Sequence, residues 1–417
     1  MIVGFLGMSH LGINYAVASA EKGFDVICYD PKKKKIKDLI NNKIDFYEPD
    51  LEKLFKKNKK KIIFTNNINL INKCNLVFLS QDVPTNYKNE SNLILINKLI
   101  KSTILHLNRH ACLVILSQVY PGFTRKISWT KIRLYYQVET LIFGQALNRI
   151  FNAERIIVGS ADIKNKINKY YYFFLKKFKC PIINLNYESA EIAKISINIF
   201  LIAQVCTSNF LASVCEKIGA NWSGVTLALK LDRRIGKYAY LNPGLGLSGG
   251  NLERDLKTLN AVVKKNVIKD KILQSFSFNS KISKDWVLRT IKKIKLNKKK
   301  DKIAILGLTY KENTDSIKNS PSIDLIKKLN HYKIFAFDPK ANTSSFKNID
   351  AFRSYSINKT LENAKVLIVM NKWSVFKKIS LKKLNTKLLC KNIIDPFGVL
   401  RELNLQNKGF NYYVIGN

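Results

Sequence analysis

The stretch MIVGFLGMSHLGINYAVASAEKGFDVICYD, residues 1–30, decides the fold of this 417-residue chain. The apolar run 1–6 predicts a buried strand, and it leads into a glycine-containing turn and a helical pattern that extends to Lys22. A second apolar run, 24–29, predicts the next strand, which ends at Asp30. A strand, a helix and a second strand in this order form the βαβ unit of parallel sheets.

The turn after the first strand has the features of a dinucleotide-binding loop. Gly7 permits the tight turn, Gly12 permits close packing of the helix, and the amino end of the helix would face a pyrophosphate. Asp30 follows Gly7 by 23 positions, where a carboxylate can hydrogen-bond the ribose of an adenosine. Ser9 replaces the middle glycine of the usual motif, so a plain strand, turn and helix is the alternative interpretation.

We predict that the cofactor is NAD, because an acidic residue at position 30 favours NAD over NADP. Lysines 32–35 follow directly and could meet a 2′-phosphate, but a solvated helix start explains them better. The turn residues assigned to the cofactor are Gly7, Ser9, His10, Leu11 and Gly12.

Four further apolar runs, separated by helical patterns, extend the sheet at 61–64, 76–80, 112–117 and 155–159. This alternation predicts a doubly wound parallel sheet. Ligands bind at the carboxyl ends of such strands, where the loops 82–85 and 117–122 follow two of the predicted strands. The loop residues assigned to the cofactor are Val83, Pro84, Thr85, Ser117 and Gln118.

The pattern changes to long helices from residue 188, and a second strand and turn begin at 303. Lys194 and Asn198 are four residues apart and share a helix face, where they could stabilise an oxyanion or form an exposed polar stripe. A glycine-dense loop, 243–250, suggests backbone pressed against a ligand. We therefore predict an α/β chain with two Rossmann-like doubly wound domains joined by a central helical domain.

Composition limits the possible partners and the compartment. A net charge of +41 is compatible with binding to nucleic acid. The sequence shows neither a basic stripe with interleaved aromatic residues nor a known nucleic-acid-binding module, so we predict no nucleic-acid partner. Seven cysteines without a CxxC pair suggest no disulfide framework and fit a reducing cytosol. The most apolar internal stretch, 195–206, is short and interrupted by polar residues, so we expect no membrane span. We therefore expect a cytoplasmic protein. We also expect no metal site.

In order and spacing, the motifs together resemble the UDP-glucose/GDP-mannose dehydrogenase family, over nearly the whole chain. The matching pieces are Gly7 to Gly12 with Asp30, Tyr47-Glu48-Pro49, Glu188 to Asn198, Asp232 to Gly236, the glycine loop to Asp255, Gly307 to Asp315, Ser320-Pro321, Asp338-Pro339-Lys340 and Trp373. The resemblance implies an NAD domain at 1–185, a central helical dimerisation and active-site domain at 186–295, and a UDP-sugar-binding domain at 296–417. It also implies at least a homodimer that oxidises a UDP-hexose.

The resemblance implies a role for individual residues as well. Lys194 and Asn198 match the lysine and asparagine that steady oxygen charge, Asp255 matches an aspartate that handles water and protons, and Glu139 matches a general acid/base. The residues that the resemblance assigns to the substrate are Arg234, which reaches the neighbouring subunit's substrate, Gly246, Gly249, Gly250 and Lys311.

One departure from the family concerns the nucleophile. The family traps an aldehyde on a cysteine between two hydride transfers, and Asn251 stands at that position, or Leu252 if the alignment moves by one residue. Neither side chain can form a thioester. The chain either still makes a uronic acid, with Glu139 or Asp255 as base, or it stops after one hydride. A silent sugar-nucleotide-binding protein is a third possibility.

Overall fold

The computed structural model describes residues 1–86, 90–298, 300–341, 346 and 349–417. These residues form two compact units, Met1–Ile197 and Asn198–Asn417, which are described separately. Each unit contains one sheet whose strands are mainly or entirely parallel, as the alternating pattern predicts.

The first unit contains an eight-stranded sheet. Its strands are β1 (Ile2–Leu6), β2 (Asp25–Tyr29), β3 (Ile62–Thr65), β4 (Leu76–Leu79), β5 (Cys112–Ile115), β6 (Leu134–Gln137), β7 (Ile156–Ser160) and β8 (Ile182–Asn186). The order across the sheet is β3-β2-β1-β4-β5-β6-β7-β8. All neighbours are parallel except β6 and β7, which are antiparallel. Strand order reverses between β1 and β4, which is where open parallel sheets bind ligands.

Alternate residues of the strands belong to different hydrophobic clusters, because side chains of a strand point to opposite faces of a sheet. Phe5 and Phe78 lie in one cluster, whereas Leu6 and Leu79 lie in the other. Both faces are therefore buried. The helices of this unit are α1 (His10–Glu21), α2 (Lys33–Ile40), α3 (Leu51–Asn58), α4 (Ile94–Ile104), α5 (Ala146–Phe151) and α6 (Lys169–Lys176).

A long helix, α7 (Tyr187–Ile218), begins in the first unit and ends in the second. The apolar stretch 195–206 is thus part of a helix of 32 residues, which by length and composition alone is long and apolar enough to cross a membrane. Core helices of soluble proteins meet the same criterion. Glu191, Lys194 and Asn198 are buried in this helix, so its inward face is polar at three positions.

The second unit begins with helices and ends with a parallel sheet. Its helices are α8 (Trp222–Leu231), α9 (Asn251–Lys265), α10 (Ile272–Lys284), α11 (Trp286–Ile291), α12 (Pro321–Lys328), α13 (Ile357–Leu361), α14 (Ser374–Lys377) and α15 (Leu381–Lys387). Its strands are β9 (Lys302–Leu306), β10 (Lys333–Phe337), β11 (Phe352–Arg353), β12 (Val366–Val369), β13 (Asn392–Ile394) and β14 (Asn411–Tyr413). The order across the sheet is β11-β10-β9-β12-β13-β14, again with β9 at the reversal of strand order.

Candidate active site

The turn between β1 and α1 has the backbone shape that a dinucleotide-binding loop requires. Gly7 has a φ of +90°, and a Cβ at this position would lie 2.6 Å from the Cβ of Gln81. A Cβ on Gly12 would overlap the backbone oxygen of Gly7. Both positions therefore need glycine, the first for its positive φ and the second for the close approach of α1 to the turn.

Asp30 lies directly against this turn. Its Oδ2 accepts a hydrogen bond from the backbone N of Met8 at 2.9 Å, and its Oδ1 accepts one from the backbone N of Lys32 at 2.9 Å. An ionised carboxylate offers about four acceptor sites, so two remain for the hydroxyls of a ribose. The two backbone bonds fix the orientation in which the carboxylate would meet that ribose.

Ser9 ties the turn to the loop that follows β4. Its hydroxyl donates to the backbone oxygen of Ser80 at 3.2 Å and accepts from the backbone N of Asp82 at 2.8 Å. The Asp82 carboxylate accepts a hydrogen bond from the backbone N of Leu11 at 3.3 Å, at the amino end of α1. Asp82 was not among the residues assigned to the site from the sequence. Its position in the loop after a buried strand could have indicated a role there, because ligands bind at the carboxyl ends of parallel strands.

The other loop residues assigned to the cofactor differ in their surroundings. Val83 is buried in the core, Thr85 forms a bridge with Ser91, and Pro84 accepts a backbone bond from Asn92. Ser117 follows β5 and donates to the backbone oxygen of Gln81 at 2.6 Å, so the loops after β4 and β5 meet. Gln118 is half-buried beside it.

The His10 side chain is held inside the protein. Its Nε2 lies 2.8 Å from Oε2 of Glu48, and its ring stacks on Phe143 with 4.1 Å between the ring centroids. Glu48 also accepts hydrogen bonds from the backbone N of Gly144 at 3.0 Å and of Ala146 at 2.8 Å. His10 therefore links α1 to the segment that follows β6.

Glu139 and Lys194, which the family resemblance assigns to catalysis, both lie in the first unit and influence each other electrostatically. Burial raises the pKa of Glu139 above its ordinary value, and a hydrogen bond from Tyr15 and the positive charge of Lys194 partly offset this rise. Lys194 is itself buried, with 8% of its surface exposed. A raised pKa brings a carboxyl group closer to neutral pH, which suits a general acid/base.

Asn198 and Asp255 meet in the second unit, although 57 positions separate them in the sequence. The Nδ2 of Asn198 donates to Oδ2 of Asp255, and the Nε of Arg254 lies 3.4 Å from Oδ1. Asp255 is fully buried. Asn251 is the first residue of α9, one turn before Asp255, and residues four apart share a helix face.

Contacts with neighbouring protein groups explain why two positions of the loop before α9 are glycine. Close contact with a ligand, which the sequence suggested for this loop, is therefore not needed to explain these two glycines. Gly246 and Gly249 have φ of +70° and +74°. A Cβ on Gly249 would lie 2.8 Å from the ring of Tyr310, and one on Gly246 would overlap the backbone oxygen of Ser280. A Cβ on Gly250 would lie 3.4 Å from the Lys318 side chain.

Arg234 and Lys311 occupy different settings. The Arg234 side chain is 90% exposed and pairs with Asp232 at 2.7 Å within its own loop. The Nζ of Lys311 lies 5.7 Å from the centroid of the Tyr310 ring, beside the glycine loop. Within the described part of the chain, no three His, Cys, Asp or Glu side chains gather as a metal site would require.

Comparison with known proteins identifies the family of all three domains. Three models of the UDP-glucose/GDP-mannose dehydrogenase family match in order: the NAD binding domain at residues 1–174, the central domain at 188–280 and the UDP binding domain at 304–402. A UDP-glucose 6-dehydrogenase of Rickettsia bellii (strain RML369-C) is 29% identical, with 100% of both chains covered. UDP-glucose 6-dehydrogenase TuaD of Bacillus subtilis (strain 168) is 26% identical over 99% of this chain and 93% of that protein.

Solved structures share the fold. A UDP-D-ManNAc dehydrogenase from Pyrococcus horikoshii superposes with a TM-score of 0.85 at 20% identity, covering 100% of this chain and 99% of the other. A UDP-glucose dehydrogenase from Pyrobaculum islandicum superposes with a TM-score of 0.86 at 18% identity, covering 99% and 96%. Three models of one family match this chain in order and together account for most of the chain's length. The chain therefore belongs to the UDP-glucose/GDP-mannose dehydrogenase family.

Proposed function

We propose that this chain is an NAD-dependent nucleotide-sugar dehydrogenase that oxidises a UDP-hexose, with UDP-glucose as the first substrate to test. The observation that carries the proposal is the placement of Glu139, whose pKa is raised by burial, and of buried Lys194 in the unit that holds the glycine turn and Asp30. The match to a UDP binding domain at 304–402 and the activity named for the relatives support the substrate class.

In this proposal each residue has a defined task. Asp30 holds the adenosine ribose, and bound NAD supplies the hydride acceptor. Glu139 takes the proton of the sugar hydroxyl as the hydride leaves its carbon, and Lys194 stabilises the negative charge that develops on that oxygen. Asn198 and Asp255 handle the oxygen and water of a second oxidation step, as the family resemblance implies.

A second oxidation has to proceed without a thioester, because position 251 carries an amide. Cys206 of α7 does not replace the missing thiol, because burial raises its pKa to about 11 and keeps it as a thiol at neutral pH. Water would therefore add to the aldehyde directly, with Glu139 or Asp255 as base. The relatives' name, UDP-glucose 6-dehydrogenase, favours this route to a uronic acid.

The test is the amount of NADH formed per UDP-glucose consumed by the purified chain, with the product identified by mass. We expect two NADH and a carboxylate. One NADH with an aldehyde or ketone would limit the reaction to a single hydride transfer. NAD and UDP-glucose that raise the melting temperature without any NADH would contradict the proposal and favour the silent binding protein.

We also propose that the chain forms at least a homodimer through α7. This helix exposes large apolar side chains, including Phe200, Phe210 and Ile218 with 70%, 58% and 72% of their surface exposed. Such a row of apolar residues favours association in water. We expect sedimentation to give a dimer or larger species, and Phe210→Asp to shift it toward monomer. A monomeric wild type at micromolar concentration would contradict this proposal.

The remaining assignments keep the status of proposals. We propose a cytosolic location, supported by seven free cysteines. We propose the domain limits 1–185, 186–295 and 296–417, supported by family matches that end or begin near them. The contacts of Arg234, Gly246, Gly249, Gly250 and Lys311 with substrate belong to the same proposal.

A further inference from the structure

A small cavity borders Glu139 in the first unit. Its volume is about 20 Å³, which is enough for one water molecule. The polar residues in its lining are Tyr15, Gln137, Glu139, Thr140 and Arg149. Ala153 and the charged Arg155 line it too, and Arg155 is exposed, so this side of the cavity lies near the surface of the first unit.

Two residues that line this cavity each have a buried polar atom without a hydrogen-bond partner within the described residues: Oε2 of Glu139 and Nε of Arg149. The other guanidinium nitrogens of Arg149 are engaged, with Nη1 2.9 Å from Glu154 and Nη2 3.4 Å from Oγ1 of Thr140. A buried polar group without a partner costs free energy. A water molecule can satisfy both atoms, because it donates to a carboxylate oxygen and accepts from an N–H group.

Tyr15 of α1 lines the same cavity as Glu139, and a hydrogen bond from its hydroxyl lowers the pKa of the Glu139 carboxyl. The hydroxyl of Tyr171 donates to Oε1 of Gln137 at 2.8 Å, and Nε2 of Gln137 donates to the hydroxyl oxygen of Tyr15 at 3.4 Å. The Tyr15 proton is then available for Glu139. Burial, followed by the charge of Glu139, raises the pKa of Tyr15 well above its ordinary value, so this hydroxyl stays protonated and remains a donor.

We propose that Tyr15 is a positioning residue for Glu139 and that the cavity holds one water molecule that joins Glu139 Oε2 to Arg149 Nε. This inference rests on the proposed role of Glu139 as proton acceptor. The proton that Glu139 takes from the sugar hydroxyl passes to this water and from there to solvent on the side of the cavity lined by Arg155. Glu139 thereby returns to its ionised form by a path through the first unit, while the sugar stays bound.

The first test is the pH dependence of kcat in Tyr15→Phe. Loss of a hydrogen bond donated to a carboxylate favours its protonated form. Glu139 then loses its proton only at higher pH, so we expect the low-pH limb of kcat to move up by about one pH unit while the KM for NAD stays unchanged. Tyr135→Phe is the matched control, because the Tyr135 hydroxyl is also buried but contacts Ile132 and Asn168.

The second test addresses the water. In Arg149→Met the water loses one partner, so proton exit slows, and we expect kcat to fall in dilute buffer and to recover as the concentration of imidazole buffer increases. A kcat that does not respond to buffer concentration would overturn the water path. The unfolding temperature of each variant is measured alongside, so that a loss of fold is distinguished from a loss of proton transfer.

A third measurement separates this inference from the proposed function. The titration of Glu139 is followed by NMR in protein labelled with ¹³C at the glutamate carboxyl, and Glu139→Gln identifies the signal. This titration needs no turnover, so it reports on Tyr15 even if UDP-glucose gives no NADH. Equal titration in wild type, Tyr15→Phe and Tyr135→Phe would overturn the role of Tyr15, whatever the substrate proves to be.

Discussion

Lys194→Ala is expected to lower the rate of NADH formation by about a hundred- to a thousand-fold, because the variant lacks the charge that stabilises the developing oxyanion. Lys194 is buried, so solvent cannot replace its ammonium group. Its charge also lowers the pKa of Glu139, against the larger effect of burial. The residual activity should therefore require higher pH, since Glu139 would hold its proton more tightly. Initial rates measured by NADH absorbance check both effects.

Binding of NAD distinguishes a catalytic role from a loss of fold in this experiment. We expect Lys194→Ala to bind NAD with the affinity of the wild type, because Gly7, Gly12 and Asp30 are unchanged. Lys177→Ala, which removes the charge of an exposed lysine just after α6, is the control and should keep full activity. Near-normal turnover in Lys194→Ala would contradict the site as assigned.

Asp255→Asn is expected to lower both stability and turnover. The carboxylate is fully buried, accepts a hydrogen bond from Asn198 and lies beside the buried Arg254. An amide keeps the volume but removes the negative charge beside the Arg254 guanidinium, and breaking a buried ion pair in this way costs about 3 kcal/mol. Turnover should fall because a neutral amide oxygen accepts the hydrogen bond from Asn198 less strongly than a carboxylate does, and because an amide cannot take up a proton. Urea unfolding and initial rates measure the two losses.

A second Asp and Arg pair provides the control for Asp255→Asn. Asp232 and Arg234 pair at 2.7 Å on the surface, with the Arg234 side chain 90% exposed. Ion pairs in this setting contribute little to stability, so Asp232→Asn should leave the urea midpoint unchanged. If the two variants lost equal stability, burial would not be the cause, and the interpretation of Asp255 as a buried link between α7 and α9 would be wrong.

The fold was predictable from the sequence where strands are continuous apolar runs. The predicted strands at 1–6 and 24–29 correspond to β1 and β2, because strands buried on both faces of a parallel sheet are apolar throughout. The prediction missed β6, whose sequence LYYQ ends in a polar residue, and β8, whose sequence IINLN is interrupted by asparagine. Both lie at the antiparallel end of the sheet, where β6 meets β7.

Because β6 was not predicted, the neighbours of Glu139, which follows this strand, were not predicted either. The family resemblance identified Glu139 as an acid/base, but the chain of hydrogen bonds beside it links residues that are distant in sequence. Gln137 lies 122 positions from Tyr15 and 34 from Tyr171. Apolar periodicity reports which residues of one element are buried, but it does not report which polar side chains of other elements meet them.

The sequence by itself determined the alternation of strands and helices where the strands are continuous apolar runs, and the glycine turn with Asp30, and its motifs identified the candidate catalytic residues through the family resemblance. Each of these depends on local backbone preferences or on residue identity along one segment. The tertiary structure alone decided that Asp82 approaches the amino end of α1, that Glu48 holds His10, and that Tyr15 and Arg149 flank Glu139. These contacts exist only once strands from distant segments pair, because pairing fixes which loops share an edge of the sheet.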